Sequence, residues 1–202
     1  MSATLRLPVT PDDHVQGSAD APILLVEYGD YQCPYCAQAH PILKRLQRMF
    51  GAQLGVVFRN FPLTEIHPNA LHAAQAAESV GAQRGNDAYW RMHDAIYEHQ
   101  RESPTALSAE NLQRYGAAAG ADAEVIARDL ESGAFVERIQ ADFSSGVRSG
   151  VNGTPTFFIN GERYDGDWTD VESFARDLTR QTMEGSARPH AELRRTSYEH
   201  RV

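Results

Sequence analysis

Two thiols carry the chemistry that this sequence offers. Cys33 and Cys36 are the only cysteines among the 202 residues, and they stand in Cys33-Pro34-Tyr35-Cys36. The motif follows the apolar run Ile23-Leu24-Leu25-Val26 and opens a segment of helical character. A C-x-x-C pair between a strand and a helix is a redox dithiol signal. At a helix start the unpaired N–H groups and the positive end of the dipole favour an anion, which lowers the pKa of a thiol placed there. Cys33 is therefore the expected nucleophile. Cys36, one turn in and on a neighbouring face, is placed to resolve a mixed disulfide formed on Cys33. A Cys33–Cys36 bridge closes too short a ring to constrain the unfolded chain much, so the pair serves reactivity rather than stapling. Zinc binding would need two further ligands. His40 offers one, and no second C-x-x-C supplies the rest, so no metal site is expected.

The elements that must position these thiols are legible in the hydrophobic pattern. Pro22 to Tyr28 is a branched apolar run that fits a buried central strand. Pro34 suits the first turn of a helix, which runs to Phe50, stops at Gly51 and contains Pro41. Leu54 to Phe61 is the next strand, ended by Pro62. Helices follow. The first covers Pro68 to Val80 and stops at Gly81; the second is capped by Asn86 and presents Tyr89, Trp90, Met92, Ile96 and Tyr97 as core. Ser108 and Asp122 cap two short helices stopped by Gly120 and Gly133. Val136, Ile139, Phe143 and Val147 form the apolar stripe of another. Asn160-Gly161 joins the strands Thr156–Ile159 and Glu162–Tyr164 in a hairpin. The capping box Thr169-Asp170-Val171-Glu172 opens a last helix.

This order is β-α-β, a helical block, then β-β-α. It divides the chain into a polar lead-in (1–21), a first core part (22–62), a helical insertion (63–147), a second core part (148–183) and a polar tail (184–202). A net charge of −8 argues against nucleic acid and anionic membranes as partners. No apolar run is long enough to insert in a membrane, and the lead-in lacks the apolar core of a signal peptide. The chain as written thus reads as cytoplasmic, or as periplasmic or otherwise extracytoplasmic if a leader has been removed.

Four stretches carry a resemblance. They are Val26-Glu27-Tyr28-Gly29-Asp30-Tyr31-Gln32-Cys33-Pro34-Tyr35-Cys36, Phe58-Arg59-Asn60-Phe61-Pro62-Leu63, His67-Pro68-Asn69-Ala70 and Gly153-Thr154-Pro155. Over about Asp13 to Thr179 the chain resembles the DsbA-like family of thiol–disulfide oxidoreductases in the thioredoxin superfamily. The resemblance implies an α/β, thioredoxin-like fold with an all-helical insertion, acting on protein or peptide thiols and disulfides and recharged by a redox partner. No cofactor is implied beyond the Cys33–Cys36 disulfide, with glutathione a conceivable co-substrate. It also implies that Pro155 is cis and lies against the dithiol, and that the backbone of Thr154 pairs with a bound peptide. Glu27, six residues before Cys33, matches a buried acid that exchanges a proton with Cys36. Pro34 and Tyr35 tune the redox potential. Cys-Pro-Tyr-Cys is also the glutaredoxin dipeptide, and DsbA itself has histidine where Tyr35 stands. Two other readings follow: a glutathione-linked enzyme of the glutaredoxin or kappa-transferase kind, and a binding or chaperone module on the same fold. His67 and His72 read as residues flanking a helix start. Glu162, Asp165, Asp167 and Asp170 read as a solvated face.

Overall fold

A computed structural model describes residues 3–186. The core is a five-stranded sheet in the order β1-β3-β2-β4-β5, with β1 His14–Gln16, β2 Ile23–Gly29, β3 Leu54–Asn60, β4 Thr156–Ile159 and β5 Glu162–Tyr164. Strand β2 runs parallel to β3 and antiparallel to β4. It is central and covered on both faces, which is why its sequence is a continuous apolar run rather than an alternation. Among the described residues seven α-helices flank the sheet: α1 Pro34–Phe50, α2 Ala70–Arg84, α3 Asn86–His99, α4 Ala109–Ala118, α5 Ala123–Ser132, α6 Val136–Arg148 and α7 Val171–Ser186. Helices α2 to α6 form one continuous block between β3 and β4, so the architecture is the α/β thioredoxin-like one with a helical insertion.

Several elements differ from expectation, each for a local reason. The lead-in is built into both edges of the sheet. Its residues 14–16 pair with β3, and Thr4 forms an isolated bridge to Glu162, where Arg163 N–H and Leu5 N–H donate to the Ala3 and Gly161 carbonyls at 2.9 and 2.8 Å. Helix α2 does not stop at Gly81 but continues to Arg84, with Gly85 as its cap. Gly81 is a site of close approach instead: a Cβ there would lie 3.3 Å from both the His14 ring and the Tyr89 Cβ. Gly85, at φ +80°, also begins α3, so Asn86 is not the cap; its side chain donates to the Val15 carbonyl at 2.7 Å. Ser108 and Asp122 do cap α4 and α5.

The buried face of α6 is Ile139, Asp142, Ser145 and Gly146, while Val147 is half exposed. This helix packs on polar groups of the strands, where Asp142 accepts from Asn60 N–H at 3.0 Å and Ser145 Oγ meets Tyr28 OH at 2.8 Å. Helix α7 is capped by Asp170, which accepts from Ser173 N–H at 3.0 Å, whereas Thr169 turns back to Asp167. The helix takes in the first residues of the expected tail; 187–202 lie outside the described residues.

Among the described residues, no helix is long and apolar enough to cross a membrane.

Candidate active site

Cys33 is the N-cap residue of α1, with Pro34 in the first helical position. An N-cap is where Ser, Thr or Asp usually offers a side-chain acceptor to the first free N–H groups. Here that position holds a sulfur. The Cys33 thiol is brought down to about 5, first by the hydrogen bond from the Cys36 thiol and, against the opposing effect of burial, by the Thr154 side chain and the backbone N–H groups of Cys36 and Tyr35. Cys36 moves the other way. It is fully buried, and burial, the bond it gives to Cys33 and the neighbouring negative charge of Glu27 hold its thiol far above the ordinary value. One motif thus yields one ready thiolate and one guarded thiol.

Glu27 lies beneath this pair on the central strand. Burial pushes its carboxyl up to about 8, with the Cys33 charge adding to the effect. Its Oε1 is buried with no hydrogen-bond partner among the described residues. The strand is covered on both sides, so the alternation that would turn Glu27 to solvent on an edge strand does not apply.

The opposite wall is the loop before β4. The Thr154–Pro155 peptide is cis, and Cys33 Sγ lies 3.4 Å from the Thr154 carbonyl oxygen. The Thr154 hydroxyl is buried beside the Cys33 sulfur, where it favours the thiolate form. Tyr35 projects outward, 59% exposed.

Four further residues shape the site. Asp30 is wholly buried, and its carboxylate accepts four hydrogen bonds. Two come from Gln32 N–H and Cys33 N–H at 2.7 and 3.1 Å. The other two come from Leu63 N–H and His67 Nδ1, both at 2.8 Å. Gln100 Nε2 donates to the Tyr31 and Cys33 carbonyls at 2.7 and 3.1 Å, and Tyr97 OH donates to the Asp30 carbonyl at 3.3 Å. The insertion therefore grips the turn that carries Cys33. Asp30 had a sequence signal, an Asx turn before the helix. His67, which reads only as a helix-start residue, gains its role from the long-range pairing with Asp30. Gln100 and Tyr97 had no signal, because only the docking of α3 brings them there.

Among the described residues one other group brings possible metal ligands together, His40, His93 and Asp94, all within 4.8 Å. Its charges are already matched internally: Asp94 takes His40 Nε2 at 2.9 Å and Lys44 Nζ at 2.7 Å, and His93 Nδ1 bonds Tyr31 OH at 3.0 Å. His40 is thereby committed to Asp94.

The titration of Cys33 follows from this geometry. Labelling of the reduced protein by iodoacetamide at Cys33 is expected to rise through a midpoint near 5 and to be flat above about pH 6, while Cys36 stays unlabelled. A midpoint near about 8.5, the value of a free cysteine, would show that the cap does not act on the sulfur.

Comparison with known proteins agrees with this architecture. The sequence model of the thioredoxin family matches residues 9–176. Among curated proteins, the Na(+)/H(+) antiporter NhaA 1 of Salinispora arenicola is 40% identical over 176 residues, covering 87% of this chain and 26% of that protein. Its namesake in Mycolicibacterium vanbaalenii is 38% identical, with 86% and 27% covered. The chain thus spans about a quarter of the length of these relatives. Among solved structures, BdbD from Bacillus subtilis superposes with a TM-score of 0.79 at 21% identity, covering 91% of this chain and all of that one. Wolbachia pipientis alpha-DsbA1 gives 0.75 at 20% identity, covering 90% and 96%. A thioredoxin-like oxidoreductase from Silicibacter pomeroyi gives 0.70 at 25% identity, covering 87% and 94%.

Proposed function

The chain belongs to the thioredoxin family and has the DsbA-like fold, and on that premise we propose that it is a thiol–disulfide oxidoreductase that passes the Cys33–Cys36 disulfide to protein or peptide thiols. The observation that carries this reading is the Cys33 sulfur in the N-cap position of α1 beside the Thr154–Pro155 loop. A sulfur stabilised as thiolate is a good leaving group from a disulfide, so the couple favours the reduced protein and oxidises its substrates.

In the oxidising direction a substrate thiolate attacks Cys33 Sγ. The Cys33–Cys36 bond breaks, and the electron pair leaves on Cys36, which takes a proton. A second substrate thiolate then attacks the mixed disulfide; the substrate disulfide forms and Cys33 departs as the capped thiolate. Glu27 is the proton carrier for Cys36. It holds its proton while Cys33 is charged, and the mixed disulfide removes that charge and one of the two causes of its raised pKa. Thr154 and Pro155 offer the backbone edge for the substrate peptide, and Pro34 and Tyr35 set the contacts at the rim. A separate redox partner must reoxidise the dithiol. A donor of this kind belongs to an oxidising compartment, the extracytoplasmic of the two placements the sequence allows.

The test is the reduction potential, measured by equilibrating the protein in glutathione and dithiothreitol buffers and counting alkylated thiols by mass. A value above about −180 mV is expected. A value near about −270 mV would reverse the direction to a reductase. Absence of any reversible two-thiol couple would remove the enzyme reading and leave a binding module.

A further inference from the structure

Beside the nucleophile turn lies an open cavity of about 330 Å³ between the start of α1, the β3–α2 loop and the segment after α3. Gln32 and Pro34, the two chain neighbours of Cys33, line it, and so does Gln100, whose amide holds the Cys33 carbonyl. In a protein of net charge −8, none of the nine residues lining this cavity is acidic.

Its polar groups point to an anion. Arg101 makes no hydrogen bond or ion pair among the described residues, although Glu102 follows it and pairs with His99. Gln32 Oε1 accepts from Asn69 N–H at 2.6 Å. A backbone N–H can only donate, so this bond fixes the amide orientation and leaves the Gln32 NH₂ donors uncommitted. The Asn69 side chain, also on the wall, is likewise without a partner among the described residues. Uncommitted N–H donors around one arginine, with no carboxylate in the wall, suit a carboxylate guest.

We propose that this cavity is a subsite for a carboxylate carried within a residue or two of the reacting sulfur of the disulfide partner. Glutathione offers that chemistry, and so does a cysteine peptide with a neighbouring acidic side chain. The inference rests on the thiol–disulfide reading for its biological sense, and its test does not depend on turnover.

The probes are S-methylated, so they cannot exchange: S-methylglutathione and its diethyl ester, and an S-methylated Asp-Cys peptide and its Asn-Cys counterpart. Binding is followed by amide chemical shifts in the wild type and in Arg101→Glu. The wild type is expected to bind a carboxylate form about fivefold more tightly than its uncharged form, with shifts at Gln32, Asn69 and Gln100. Arg101→Glu is expected to abolish that preference while the reduction potential stays unchanged. The glutathione and peptide arms identify the source of the carboxylate by which shows the larger preference. Equal affinity for charged and uncharged forms in the wild type, or a preference that survives Arg101→Glu, would overturn the proposal. A dead dithiol with the preference intact would instead overturn only the enzymatic reading.

Discussion

Cys33→Ser is expected to lower disulfide exchange by about 10⁴-fold or more, because a serine hydroxyl in the same N-cap position is not ionised near neutral pH and cannot form a disulfide. Cys36→Ser should behave differently. The Cys33 thiolate remains available, since the helix N–H groups and Thr154 still face it. It attacks a substrate disulfide, but nothing resolves the product. Mixed disulfides between Cys33 and substrate should therefore accumulate and be visible as adducts by intact mass. Normal exchange by Cys33→Ser would sink the proposed mechanism, and so would Cys36→Ser that turns over without adducts. Serine fits the space of either cysteine, so far-ultraviolet circular dichroism of both variants should match the wild type.

The largest stability effect is expected at Arg59, well away from the sulfurs. Its guanidinium is 1% exposed and forks onto the Asp13 carboxylate with bonds of 2.8 and 2.9 Å. Its remaining N–H groups reach the Leu7 and Pro8 carbonyls and Tyr28 OH. Burial acts to raise the Asp13 pKa, yet the arginine bonds outweigh it and the carboxyl stays below its ordinary value. Replacing Arg59 by methionine nearly keeps the volume but leaves the buried Asp13 carboxylate without its cation and the Leu7 and Pro8 carbonyls without their donor. A loss of about 3–5 kcal/mol in urea unfolding is expected. The double variant Arg59→Met, Asp13→Leu should recover much of it, since removing both charges together is far less harmful than stranding one. If the double variant loses as much as the two single variants combined, the pair is not energetically coupled and the argument fails.

Arg59 also shows where sequence reading reaches its limit. The strands and helices of the core announce themselves through local periodicity: the apolar run of β2, Pro34 at the start of α1 and Asn160-Gly161 between β4 and β5 all act within a few residues. The dithiol is equally local. By contrast, β1 is three half-buried residues with no alternation to detect, and its identity depends on β3 being there to pair with. Gly81 looks like a stop because glycine usually is one; only the approach of His14 and Tyr89 makes it a packing residue. The polar face of α6 defeats a hydrophobic-stripe argument because Asn60 and Tyr28 supply the donors and acceptors that it meets. Asp30, His67, Gln100 and Arg59 each join segments far apart in sequence, and such pairings carry no periodic signature.

The order of strands has a consequence for how the chain is made. Strand β2 emerges early in synthesis, but one of its two neighbours, β4, follows only after the whole insertion, with Leu25 opposite Ile159. Until then a highly apolar strand has one open side. Closing a flexible loop of that length costs about 4 kcal/mol in chain entropy. The insertion shortens the effective path if it folds first, because Asn60 at the end of β3 bonds Asp142 on α6 and so draws the two ends of the insertion together. A nascent chain halted before Thr156 would present β2 as an unprotected edge, the kind of surface that recruits other chains. Synthesis of the insertion is thus the stage at which the β2 edge stands open, and a chaperone's contact with the ribosome-bound chain should be longest there.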